Sequence, residues 1–285
     1  MARRVTAIGI NGSEVGAFEV NEAAYIREVR KKIALKLQLH PACIKLLHGT
    51  DILLDSQGLL AQHVPDTSNV LLTVVRDVQT ILQGFKDGNT TTKCECCSQL
   101  AGPGIQSDAE LAAEVVSVVV AEARVTQSKT VARSIMDLLR KVAYVGDEEV
   151  LSAALHCFEQ PIVAPTDSFL THAALDVLCS LTPRGYQPAL QAGMRWGFGH
   201  PLAEGRPTCQ ASAVRLVAAA AEIGDEEAIS ASIEYLENGS SEDVQVAACA
   251  VLCAIAGGHG RAKDAIKACA KSGRSARART AALDA

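Results

Sequence analysis

Two kinds of hydrophobic spacing divide the chain. Over the first part, apolar and polar residues alternate in short runs. Val5–Ile10, Ala17–Val20, Ile44–His48 and Val70–Val75 read as strands, because a period of two places one face of each against a core. Asn11-Gly12 between the first two is a strong hairpin signal. Ala23–Leu39 follows the other spacing. Ile26, Val29 and Ile33 fall at i, i+3 and i+7, and Leu37 continues their face, so this segment reads as a helix. Pro41 lies just past it, where it suits a stop. Gly49 and Asp51 mark a turn. A hairpin, a helix, a strand, a short segment and a last strand pack most economically as one sheet with a helix lying across it.

From residue 107 onward the spacing is helical, and it repeats. Val145-Gly146-Asp147-Glu148-Glu149 is nearly copied by Ile223-Gly224-Asp225-Glu226-Glu227. The offset is 224 − 146 = 78 residues, two units of 39, close to the roughly 40–47 residues of helical-repeat arrays. A helix follows each copy (Val150, Leu151, Ala154, Leu155 and Phe158 in one, Ile229, Ile233 and Leu236 in the other), then a turn and a second helix. The pattern predicts helix pairs at about 108–143, 147–182, 186–222, 225–256 and 262–285, with a longer loop at Gly199–Pro207. Gly146 and Gly224 are expected to end the preceding helix in a left-handed conformation. The acidic residues after them satisfy free N–H groups of the next helix and oppose its positive end. In the helix from Asp243, the residues Val244, Ala248, Val251, Leu252 and Ile255 form a continuous apolar stripe. A lone helix pair cannot bury both faces, and stacking gives each pair a neighbour.

Residues 79–106 read as a linker by composition. Val78–Phe85 fits either an extension of the last strand or a short helix, and Lys86–Thr92 is polar and turn-rich. Within this segment lie Cys94, Cys96 and Cys97. Three thiols in four residues suggest a zinc or redox site, and Cys94 and Cys97 have the x₂ ligand spacing. No second pair and no nearby His follows in the segment, so an incidental exposed cluster is the favoured reading and no metal is expected.

Composition narrows the function. Apolar residues make up 48% of the 285 and aromatic residues only 4%, so the core is built from small aliphatic side chains. The net charge of −5 gives no general drive toward nucleic acid or an anionic membrane. No apolar run approaches the roughly 18–20 residues of a membrane span. Several of the ten Cys sit inside apolar helical patterns, which fits a reducing, cytoplasmic setting better than a disulfide framework. The last segment, 259–285, is basic, and Lys267, Lys271, Arg274 and Arg277 are candidate contacts for an acidic partner surface. The competing reading is a solvated face whose cations balance helix C-terminal dipoles.

Residues 3–76 resemble the ubiquitin-like β-grasp family. The resemblance rests on Phe18-Glu19-Val20, Ile26/Val29/Ile33, Pro41, Lys45-Leu46-Leu47, Leu53, Asp55, Leu59 to Val64, and Ser68-Asn69-Val70-Leu71-Leu72. The family's conjugated members end in a Gly-Gly tail, whereas this chain runs on through Val74-Val75-Arg76-Asp77-Val78, so a transferable modifier is not expected. The positions matching the family's recognition patch are Leu47, Leu71 and Thr73. The alternative is that Leu71 packs against the following helix or linker. Residues 107–285 resemble HEAT-type, armadillo-like repeats. Asp243-Val244-Gln245-Val246-Ala247-Ala248 and Ser275–Leu283 look like the family's second helix; the usual Arg is replaced by Gln245 in one and kept as Arg277 in the other. The final unit lacks a polar capping helix before Ala285, so the array is expected to continue in a longer parent chain.

The expected organisation is an α+β two-domain chain: a ubiquitin-like β-grasp domain at 1–78, a linker at 79–106, and an all-α HEAT-type solenoid of four to five helix pairs at 107–285. The expected role is a non-enzymatic adaptor or scaffold that binds other proteins, without a cofactor. HEAT-type hydroxylases hold iron with His-Glu dipeptides, and none occurs here. The resemblance leaves one enzymatic alternative, a lyase of the bilin type acting on a bound pigment or small molecule.

Overall fold

A computed structural model describes residues 2–21, 23–54, 58–64, 69–160, 167–199, 207–238, 241–272 and 276–284. Asp55, Ser68, Arg274, Ser275 and most of the loop read at Gly199–Pro207 lie outside them. The chain forms two compact units. One comprises residues 1–122 with 141–143, the other 123–140 with 144–285.

The first unit opens with strands β1 (Ala2–Gly9) and β2 (Glu14–Asn21), joined at Gly12, whose φ of +79° is the conformation the Asn11-Gly12 turn demands. Helix α1 (Ile26–Leu37) follows, then β3 (Ile44–His48), β4 (Asp51–Leu53), the short α2 (Leu60–His63) and β5 (Asn69–Arg76). The five strands are ordered β2-β1-β5-β3-β4. Only β1 and β5 run parallel, and the other pairings are antiparallel. Val5, Ala7, Leu46, Val70 and Leu72 face Ile26, Val29 and Ile33 of α1 in a core with almost no solvent exposure. These are the alternating strand residues and the helical face that the spacing predicts.

The expected linker is helical instead. Helices α3 (Val78–Asp87), α4 (Thr90–Leu100) and α5 (Pro103–Gln106) occupy it. Val78, Ile81, Leu82 and Phe85 fall at i, i+3, i+4 and i+7 and are buried, as are Leu100 and Ile105. The residues that read as a linker are caps. Asp77 accepts from Thr80 N, and Asn89 accepts from Thr92 N at 3.0 Å. The segment is anchored to the sheet unit: Gly104 N donates to Gln38 O at 2.9 Å, and Asp77 N donates to Cys43 O at 2.9 Å. A Cβ on Gly104 would lie 2.4 Å from Leu37 O, so the approach needs glycine. Helix α6 (Ala109–Val125) continues the chain; its Glu122 pairs with Lys93 at 2.7 Å.

After α7 (Lys129–Val142) the second unit is built from helix pairs: α8 (Glu148–Glu159) with α9 (Asp167–Leu181), α10 (Gln187–Met194) with α11 (Pro207–Ala220), α12 (Glu226–Asn238) with α13 (Glu242–Ile255), and α14 (Gly260–Ser272) with α15 (Ala276–Asp284). The second helices stack on one another in the order α9, α11, α13, α15, while α8 lies beside α10 and α12 beside α14. A π-turn at Arg195–Gly199 ends α10 and sets Trp196 against Phe158, ring centroids 5.2 Å apart.

The joints between pairs are alike. Gly146, Gly185 and Gly224 lie 39 residues apart and have φ of +86°, +82° and +88°. Each donates its N–H to the last turn of the second helix in the following pair: to Leu181 O at 2.9 Å, Ala220 O at 2.7 Å and Ile255 O at 2.7 Å. These bonds satisfy carbonyls that a helix end leaves free. Asp147 and Asp225 then cap the next helix through Val150 N and Ala228 N. Helix α13 is enclosed on several sides, and Val244, Ala248, Val251, Leu252 and Ile255 are all buried.

Candidate functional site

The outer face of the sheet brings together the predicted residues Leu47, Leu71 and Thr73. Pairing aligns Ile8 with Thr73, Thr73 with Leu47, and Leu47 with Ile52, so one row of side chains crosses β1, β5, β3 and β4. Residues opposite one another across a ladder lie within side-chain reach, and so do residues two apart on one strand. Leu71 therefore extends the row along β5. Leu71 is 54% exposed and Ile52 47%, while Leu47, Thr73 and Ile8 are half-buried. The reading in which Leu71 packs beneath the following helix is overturned: α3 starts at Val78 and buries its own apolar face, leaving Leu71 in solvent. Beside it, Arg4, Thr6, Asn69 and Leu71 line a depression of about 260 Å³.

Ile8 and Ile52 escaped the sequence reading. Both lie in apolar stretches, but only the register shows that they share a row with Thr73 and Leu47. The rim is charged and internally paired. Lys45 meets Asp77 at 2.5 Å, and Arg76 meets Asp108 at 2.6 Å. Burial acts to raise the Asp77 carboxyl, but hydrogen bonds from Lys45 and Thr80 outweigh it and hold the group below the ordinary carboxylate range.

The cysteine cluster is not an exposed one. Cys94, Cys96 and Cys97 lie on α4, where Cys96 and Cys97 are buried against the unit's core and Cys94 is half-buried. Burial, reinforced by Glu95, pushes the Cys96 thiol up, away from the thiolate that metal binding and redox exchange require. Cys97 is a packing residue.

In the second unit, Lys267 and Lys271 are exposed on α14. Arg277 does not join them. It is on α15 and donates to Asp243 of α13 at 3.1 Å, so it ties two stacked helices together. A further pair was not foreseen. Cys209 Sγ lies 3.4 Å from His172 Nε2, joining α11 to α9. Cys209 is only 2% exposed, which closes it to a substrate. Gln210 next to it donates to Gly197 O and to the Tyr235 hydroxyl, so this polar cluster is bonded internally.

No family model matches the chain, and no curated protein sequence is significantly similar to it. Among the described residues, no helix is long and apolar enough to cross a membrane.

Proposed function

We propose that this protein is an adaptor, in which a non-conjugated ubiquitin-like domain and a stack of HEAT-type repeats each offer a face to a partner protein. The sheet order, with β1 and β5 parallel at its centre, hairpins on both sides and one helix across, supports the β-grasp part. The glycine joints 39 residues apart support the repeat part.

The observation that carries the adaptor reading is the apolar row on the sheet. Ile8, Leu47, Ile52 and Leu71 lie on one face of a small unit whose core is already filled. Contiguous exposed apolar side chains with a charged rim mark interaction sites more often than scattered ones do. The strand bearing Leu71 runs directly into α3 through Asp77, so this copy of the fold has no free tail to activate.

The lyase-type alternative calls for a pocket enclosing most of a small molecule, usually about 300–1,000 Å³. The depression between α10 and α12 holds about 180 Å³. A larger depression, about 700 Å³, lies in the first unit, lined among others by Asn11, Glu14, Leu37 and Arg76, outside the helical stack that the lyase reading invokes.

The test uses the full chain with a photo-crosslinking residue at position 71, and a matched chain with the crosslinker at the exposed Leu35 on α1. The adaptor reading expects a protein captured at 71 and not at 35, with capture abolished by Leu47→Glu. Equal capture at both positions, or capture indifferent to Leu47→Glu, refutes it.

A further inference from the structure

We infer that the second unit pairs with a second copy of itself through the adjacent outer faces of α12 and α14. The inference is independent of the sheet face. It starts from two columns of charge. Lys263, Lys267 and Lys271 fall at i, i+4 and i+8 on α14 and are all exposed, opposite the buried Ala262, Ala265 and Cys269. They form a basic line about 12 Å long. Glu227, Glu234 and Glu237 are exposed on α12, opposite the buried Ala228, Ile229, Ser232, Ile233 and Leu236, and form an acidic line about 15 Å long. The two helices are first members of neighbouring pairs and pack side by side, tied at their starts by His259 Nε2 and Glu226 at 3.4 Å.

These six charges have no ion partner among the described residues. Elsewhere in the same unit, cations reach carboxylates on other helices: Arg140 to Asp176, Arg195 to Glu159, and Arg277 to Asp243. Like charges four residues apart destabilise their own helix by a few tenths of a kcal/mol per pair, roughly. The column of three lysines, offset only in part by Asp264 three residues before Lys267, is therefore unfavourable in the monomer and relieved by an opposing column.

The kind of partner follows from the balance of the face. Its two columns set three unpaired lysines beside three unpaired glutamates in parallel lines, with Asp264 also exposed among the lysines, and each column is complementary to the other one on a second copy. A two-fold axis running along the furrow between α12 and α14 lays α12 of each copy over α14 of the other, and residue i then contacts j in both directions. An axis at right angles to the helices would set like on like. The acidic column repels the phosphates of nucleic acid and of anionic lipid. Neither helix exposes a large apolar side chain among the described residues, so nothing there would enter a bilayer. The face covers on the order of 400 Å² per copy, about half of what a standard interface buries per partner. The dimer is accordingly weak and salt-dependent.

The test is sedimentation velocity of the full chain over a concentration series, at low and at moderate salt. The expected result is reversible dimerisation whose Kd rises at least about tenfold from about 30 to 300 mM ionic strength. Two triple variants decide the contact: Lys263→Glu/Lys267→Glu/Lys271→Glu, and Glu227→Lys/Glu234→Lys/Glu237→Lys. Each alone should be monomeric with an unchanged circular dichroism spectrum. Mixed together they should dimerise, because every opposed pair of columns regains unlike charge. A wild type that stays monomeric at low salt overturns the inference, as does a mixture that stays monomeric or a single variant that dimerises like wild type. Binding of wild type to anionic vesicles in place of self-association also overturns it.

Discussion

The joint glycines allow a clean test of how the helical unit is held together. Gly224 has φ of +88°, and a Cβ built on it meets no atom within 4 Å. Gly224→Ala therefore introduces backbone strain without a steric clash. A left-handed conformation costs a residue with a Cβ roughly 1–2 kcal/mol. The loss of unfolded-chain freedom returns part of this, about 0.4–1 kcal/mol. The expected net loss is about 1 kcal/mol. It is larger if the N–H to Ile255 O bond of 2.7 Å is broken as the turn relaxes, by about another 1 kcal/mol. For a unit of this size each kcal/mol lowers Tm by about 2–4 °C. Gly260 is the control. It begins α14, its φ is not in the left-handed range, and its Cβ site is also empty. Gly260→Ala removes the same unfolded-state entropy without strain and should raise stability by about 0.4–1 kcal/mol. Calorimetry of the two variants beside wild type reads the difference directly. If both substitutions move Tm in the same direction, the left-handed joints are not what position these helix pairs.

Asp77→Asn should destabilise the protein at neutral pH by about 0.5–2 kcal/mol, since the carboxylate caps α3 and meets Lys45. Because its folded pKa is depressed, its contribution is present above the unfolded carboxylate value and is lost as pH falls through the folded one. Urea melts of variant and wild type should therefore converge at acid pH below the ordinary carboxylate range. Burial pushes the Cys157 and Cys179 thiols up to about 11. These groups stay protonated in the fold while the unfolded chain ionises, so stability should fall as pH rises from 9 toward 11. Melts of Cys157→Ala across that window should show a flatter decline. In the folded chain at pH 8, mass spectrometry after brief iodoacetamide treatment should find the exposed Cys253 alkylated before Cys157, Cys249 or Cys269. Phe158→Ala removes the ring tilted against Trp196 and should cost about 3–5 kcal/mol, read by urea titration of the fluorescence of the chain's single tryptophan.

Local periodicity and turn chemistry determined much of the architecture. Alternation alone places Val5, Val70 and Leu72 inside and Thr73 outside, because a strand's side chains can only take turns. The 39-residue spacing and the requirement of glycine for positive φ determine where helix pairs begin and end. Two features escaped local reading for definite reasons. Asp77 and Asn89 have the composition of a linker, yet each spends its side chain on a helix N-terminus, so the same residues that suggest a loop build a compact helical segment. The third joint, Gly185, is followed by Tyr186-Gln187-Pro188 rather than by an acidic run, and its positive φ with its hydrogen bond to Ala220 O makes it equivalent to the others.

The surfaces were decided by tertiary structure. Ile8 joins Leu47 only through Thr73, which pairs with a strand 65 residues before it and with another 26 residues before it, and Ile52 is added by the β3–β4 register. Arg277 leaves the basic surface because α15 lies against α13 and Asp243 is within reach. The lysine column of α14 faces outward beside the glutamates of α12 because those helices are neighbours in the stack. A side chain's periodicity follows from its own helix or strand. What it meets depends on which other segment packs beside it, and that is settled only when the whole unit buries its apolar area at once.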